Sequence, residues 1–280
     1  MEIHHYTRAS TLPLILQSGK LRFTRADHLD DLAELPFESF HLSRKSYFIN
    51  SWVKSAVEIS GQWYRYADQH RGVRLSFKGS PFPLTKLRLE LIRPCKTKDD
   101  ELKTLGLRLN RMPAPFTRGT MFGKGFVLMP WVDEESFGGD VLYVGDPAAY
   151  VRQFVSSTPE MTEITGGSML TRIKAMHWQD QSEFRFTLMA IQGPDLIYRD
   201  NPDRYENELL NMMERWHSLG TGAPAPKVPF IDLPIDTLML DRMTVTLGSS
   251  ISEKDRKAVL HSIQQYAPNA IVSESAIQAR

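Results

Sequence analysis

Trp178-Gln179-Asp180-Gln181-Ser182-Glu183-Phe184-Arg185, continuing through Phe186 to Ile191, is the stretch on which the fold turns. Its period of two predicts a strand over Phe184–Ile191, with Gln181, Glu183 and Arg185 on one face and Phe184 and Phe186 on the other. A carboxylate flanked two residues away by an amide and a guanidinium forms a polar row suited to gripping a polyhydroxylated ligand. Upstream, Val141–Val144 reads as a strand ended by Gly145. Asp146-Pro147 then opens a short helix, with proline at the first helical position. Downstream, Tyr205–Leu219 is an amphipathic helix carrying Leu209, Leu210, Met213 and Trp216 and stopped by Gly220. A Gly/Pro-rich connector, Thr221–Pro229, a helix over Ser252–Tyr266 and a terminal strand complete the chain.

The first half supplies further strands. Ile3–Thr7 is β-prone, and Ser10 is expected to cap a helix that tolerates Pro13 in its first turn and ends at Gly19. Leu21–Thr24 alternates, an acidic turn comes next (Asp27, Asp30, Asp31, Glu34), and Ser46–Asn50 reads as a buried strand. The region from Trp52 to Tyr66 is partly helical; Gly72–Phe77 and Leu87–Ile92 alternate again. Between Lys96 and Arg118 lies a basic, proline-punctuated stretch that reads as a long loop or insertion. The segment beyond the connector is too short for a core of its own. The expectation is one α+β domain over residues 1–280, a β-sheet core with flanking helices.

Composition excludes several classes. Of 280 residues, 41% are hydrophobic and 24% charged, which rules out wholesale disorder. Cys95 is the single cysteine, so neither a disulfide scaffold nor a cysteine zinc cluster can form. The opening Met1-Glu2-Ile3-His4-His5-Tyr6 lacks a signal peptide's basic flank and apolar run, and no stretch approaches the roughly 18 apolar residues of a membrane span. A cytoplasmic protein without membrane contact is expected. Net charge is +1, but residues 1–120 carry 20 Lys/Arg against 12 Asp/Glu, an asymmetry that hints at phosphate or nucleic-acid partners and equally suits two solvated faces that attract one another. No phosphate-binding GxxxxGK[ST] loop, GxGxxG turn, HExxH or GxSxG motif is present. His28, Asp30 and Asp31 lack a second ligand cluster, so no metal is expected.

Three pieces remain that carry chemistry: His5-Tyr6-Thr7 on the first strand; Trp63-Tyr64-Arg65-Tyr66-Ala67-Asp68 with Gly72 beyond it; and the late Trp178…Arg185 row. Each has an ordinary alternative reading: a structural pair, a buried helical face, a surface ion pair. Their joint order resembles a widespread prokaryotic family known only as domain of unknown function twenty-nine seventy-one. That family opens with a His-Tyr-Thr strand, a helix and a Gly-x-Leu turn, here His5 to Leu21. It continues with Trp-x-x-Tyr-x-Asp and a Gly, here Trp63, Tyr66, Asp68 and Gly72. Late in the chain it has Trp-x-x-Glu-x-Glu-x-Arg, here Trp178, Glu183 and Arg185 with Gln181 in place of the first Glu, and the terminal Ser273–Arg280 resembles its closing segment. Its acidic turn is degraded here to Asp30-Asp31 and Glu34.

More distantly the order is similar to the ADP-ribosyltransferase superfamily, which implies a split β-sheet and NAD as substrate. The resemblance assigns Glu183 to catalysis, Gln181 to acceptor choice, and His5, Tyr6, Thr7, Tyr47, Trp63, Tyr66 and Arg185 to NAD, with Tyr47, Tyr64 and Tyr66 competing for the nicotinamide. It implies mono-ADP-ribosyl transfer to RNA, DNA or protein, in the setting of a bacterial toxin with a neutralising antitoxin or of phage defence. The chemistry fits those residue types. Cleaving the nicotinamide–ribose bond passes through an oxocarbenium-like cation that a preorganised carboxylate stabilises, and an aromatic face holds a cationic pyridinium. NAD hydrolysis would need the same Glu183. A non-catalytic module binding nucleic acid or protein would not.

Overall fold

The computed structural model describes residues 1–31, 35, 43–96, 102–129, 137–157, 162–165 and 167–278. Its strands are β1 Glu2–Thr7, β2 Lys20–Arg25, β3 Tyr47–Val53, β4 Val73–Lys78, β5 Thr85–Lys96, β6 Leu102–Ala114, β7 Phe122–Gly123, β8 Phe126–Leu128, β9 Gly138–Asp140, β10 Leu142–Val144, β11 Val155–Ser157, β12 Thr162–Ile164, β13 Ile173–Ala175, β14 Glu183–Gln192, β15 Phe230–Pro234, β16 Thr244–Leu247 and β17 Ile271–Glu274. Among the described residues, eleven of these form one mixed sheet with the path β17-β16-β4-β1-β3-β14-β8-β7, to which β2, β15 and β9 attach. The fold is a mixed α/β one, with helices packed on a large sheet, as the alternating segments predict.

Alternation sorts the sheet's two faces. Ile3, Phe48, Trp52, Leu75, Phe77, Phe184, Phe186 and Leu188 belong to the main core. Val53, Ser51 and Ile49 stand opposite Glu183, Arg185 and Thr187 in the register of β3 and β14, and so share the other face with them. Helix α1, Leu12–Ser18, ends on a left-handed Gly19 as expected; its N-cap is Thr11 without a side-chain bond, not Ser10. Strands β15 and β16, beyond the connector, pair with β2 and β4, so the two ends of the chain complete the same sheet.

Of the stretch expected to be a loop or insertion, Leu102–Ala114 is a strand, and residues 97–101 lie outside the described residues. β5 and β6 form a hairpin paired from Thr85↔Ala114 to Lys96↔Leu102, with an irregularity between Leu87 and Arg88. Leu105, Leu107 and Leu109 repeat with period two and face the same way as Leu87, Leu89 and Leu91; interleaved charges and two prolines masked that period.

The most informative local feature is a split. β1 pairs with β3 only at His4↔Val53, and β2 pairs with β3 at Thr24↔Ile49 and Arg25↔Phe48. Between these points the β3 edge over Asn50–Trp52 has no strand partner among the described pairings. Side chains bridge the gap: Asn50 Nδ2 donates to the Arg22 carbonyl at 2.8 Å, and His5 Nδ1 donates to the Ser51 carbonyl at 3.0 Å.

Helix α2, Ser60–Tyr66, is set against β1 by a tight return. Asp68, Gln69 and His70 all have positive φ (49°, 55° and 68°), a left-handed run that costs about 1–2 kcal/mol per residue. The offset lies in Trp63, fully buried, edge-on to Tyr6 at 5.1 Å and stacked on His70 at 6.2 Å. Position 72 is glycine because any Cβ there would stand 2.2 Å from the Thr7 carbonyl.

Candidate functional site

A cavity of about 280 Å³ opens at the split, with His5, Asn50, Ser51, Tyr66, Gln181 and Glu183 in its walls. Its floor is built on β14 and β13. Glu183 is 6% exposed and Arg185 1%. Arg185 Nε donates to Glu183 Oε1 at 2.7 Å and its Nη2 to Oε2 at 3.0 Å, while Nη1 is anchored on the Thr171 carbonyl. Lys174 Nζ reaches Glu183 Oε2 at 3.2 Å and Gln181 Oε1 at 2.8 Å. Burial alone would raise the Glu183 pKa. The Arg185 charge and fork, then Lys174 and the Ser51 hydroxyl, reverse this and bring it down to about 2. Glu183 is therefore ionised at neutral pH.

Gln181 is not part of the strand. It ends a 3-10 turn, Met176–Gln181, and Ser182 is left-handed at φ 46°. The amide still joins the row through Lys174, and its Nε2 donates to the Tyr66 hydroxyl at 3.3 Å. With Oε1 and Nε2 so engaged, Gln181 transmits order from the floor to Tyr66. Tyr66 is 38% exposed, and burial together with the Glu183 charge raises its pKa, so its hydroxyl stays protonated beside the cavity.

His5 is one strand removed from Glu183, with β3 between them. By alternation its side chain belongs to the opposite face, where its ring meets Trp52 at 5.2 Å. It reaches the same cavity because the cavity lies in the gap between strands. The Ser51 carbonyl can only accept, so Nδ1 carries the proton and neutral His5 offers Nε2 as an acceptor. His4 is fully committed: Nε2 donates to the Ser55 carbonyl and Nδ1 accepts from Ser76 Oγ. Burial lowers the pKa of both histidines below 6.5. Below pH 6.5 the unfolded chain therefore takes up protons that the native state does not, and stability falls as pH falls through that window. Thermal melts from pH 8 to 5 should show this loss, and His4→Asn/His5→Asn should flatten it; an unchanged slope in the variant would refute the assignment.

The remaining candidates divide. Tyr6 and Arg185 line the cavity: Tyr6 as a buried ring against Trp63, Arg185 as the support behind Glu183. Thr7, Tyr47 and Trp63 do not. Thr7 sits where Gly72 approaches β1. Tyr47 belongs to a second small core with Leu35, Ile49, Leu170 and Ile173, where burial pushes its pKa up to about 12. Trp63 donates to Glu58 Oε2 at 2.8 Å and serves as the anchor of α2. Tyr64 points outward, leaving Tyr66 as the tyrosine of the cavity. Residues 32–34 of the degraded acidic turn lie outside the described residues; Asp30, its first member, lines the cavity.

Residues that sequence reasoning missed include Lys174, alone in the three-residue β13, and Tyr143, whose hydroxyl accepts from the Glu183 backbone N–H at 2.9 Å. Neither sits in a recognisable spacing. Trp178 is half-buried, with Lys174 Nζ 4.9 Å from its ring centroid. Among the described residues no three His, Cys, Asp or Glu side chains group as a metal site, and no helix is long and apolar enough to cross a membrane. Comparison with protein-family models, curated proteins and solved structures finds no match to this chain.

Proposed function

We propose that the cavity at the split binds NAD and that the protein is a mono-ADP-ribosyltransferase acting on a macromolecule. One observation carries the reading: His5, Tyr66, Gln181 and Glu183, dispersed over the chain, line one cavity. Each offers what the reaction needs. His5 Nε2 is an acceptor for a ribose hydroxyl. Tyr66 presents a ring to the nicotinamide and a protonated hydroxyl to a neighbouring oxygen. Glu183, held ionised, stabilises the positive charge that develops at the ribose as the glycosidic bond breaks. Arg185 and Lys174 hold the carboxylate in place, and Gln181 holds Tyr66.

The test is incubation with nicotinamide-labelled and adenine-labelled NAD, with and without RNA, DNA and cell lysate. Nicotinamide release with adenine label on a macromolecule is expected, and Tyr66→Ala should lower kcat/KM about tenfold or more. Free ADP-ribose produced at full rate without an acceptor would instead identify a glycohydrolase. Absence of both cleavage and NAD-induced thermal stabilisation would overturn the proposal.

A further inference from the structure

The β5–β6 hairpin places its leucines against the core and its charges outward. Lys86, Arg88, Arg108 and Arg111 are exposed on this ribbon, with Arg108 68% exposed; Glu90, across from Arg108 and bonded to it at 2.7 Å, is the acidic neighbour on that face. Lys86, Arg88 and Arg111 have no acidic partner among the described residues. Among the described residues of that face, four cations against one carboxylate make a concentrated positive surface. Arg93, at the ribbon's other side, is by contrast consumed by Asn207, Asn211 and Glu214 of the helix Pro202–Leu219.

We infer that this outer face docks the phosphodiester backbone of a duplex nucleic acid. Charge complementarity names the phosphates, and the composition of the ribbon disfavours single strands and partners that dock through aromatic anchors. Residues 85–114 contain no aromatic side chain, so the face has no platform on which single-stranded bases could stack. For the same reason it lacks the aromatic anchors that carry protein–protein binding energy. A two-stranded ribbon fits a duplex groove in width, and Arg and Lys at alternate positions contact phosphates without reading sequence. Docking here is independent of NAD cleavage. In an ADP-ribosyl transfer it would hold the acceptor.

The experiment is fluorescence-anisotropy titration of the full chain, without NAD, against a 20-base-pair DNA duplex, an RNA duplex of the same sequence, the separate single strands and polyglutamate, from 50 to 300 mM salt. Duplex binding is expected to be independent of sequence, with a slope of log affinity against log salt of about −3 to −4. Lys86→Gln/Arg88→Gln should reduce that slope by about two and leave circular dichroism and any NAD cleavage unchanged. Absence of duplex binding at 50 mM salt, equal binding by the variant, or polyglutamate binding as tightly as the duplexes would each overturn the inference. Because no NAD is present, none of these outcomes bears on the cavity. Preference for one duplex over the other identifies the nucleic acid.

Discussion

Glu183→Gln is expected to lose about 3–5 kcal/mol of stability, the usual cost of removing one partner from a buried ion pair, and to release nicotinamide at least about a hundredfold more slowly. The substitution keeps the size of the side chain and removes its charge. Arg185, 1% exposed, and Lys174, 5% exposed, would then face each other across a neutral amide. The acid limb gives a second signature. The Glu183 carboxyl titrates near 2 in the fold against an ordinary 4.5. Its contribution is complete above pH 4.5 and is lost as pH falls from 4.5 toward 2, a limb the variant lacks. Denaturant melts of both proteins between pH 3 and 7 measure the stability; nicotinamide assays run well below the variant's melting temperature measure the chemistry. Lys174→Met in the Glu183→Gln background removes one of the two buried cations facing that amide and should restore part of the stability without restoring cleavage. If that double variant cleaves NAD at the native rate, the carboxylate is scaffold and the catalytic role fails.

The limits of sequence reading are set by which interactions are periodic and which are not. β14 was legible because polar Glu183 and Arg185 alternate with Phe184 and Phe186 along a long strand, although both of its faces are buried. The first strand, its helix and Gly19 were legible from propensity and a glycine stop. The hairpin's first strand was legible in the alternation of Leu87–Ile92; its second escaped because its leucine period is interleaved with arginines, a lysine and a proline, so composition spoke louder than pattern. In the site, Glu183, Gln181, Tyr66 and His5 were found because they sit in motifs. Lys174 was not, since its partners lie seven and nine residues away across a turn whose geometry depends on left-handed Ser182. The error over Trp63 has the same root. Trp63 and Tyr66 are neighbours on one helical turn, and spacing cannot tell which faces the core and which the cavity. Only packing against Tyr6 and His70 settles it.

That division yields the other large effect. Trp63→Ala should destabilise the fold by about 3–5 kcal/mol, the range for deleting a fully buried aromatic side chain, whereas Tyr66→Ala should cost about 1 kcal/mol or less. The first substitution opens a void between α2 and β1, removes the donor to Glu58 and takes away the ring on which His70 stacks. It also leaves the left-handed run Asp68–His70 without the packing that offsets its strain. The second removes a half-exposed ring and a single long hydrogen bond from Gln181. Ligand response should run the other way. Tyr66→Ala should melt near the native temperature and show a reduced shift on addition of NAD. Trp63→Ala, assayed below its own transition, should keep a shift closer to native in proportion to its folded fraction. Parallel thermal melts with and without NAD measure both quantities at once. If the two variants lost stability and ligand response in the same ratio, α2 would be a uniform wall, and the assignment of Trp63 to scaffold and Tyr66 to the cavity would be wrong.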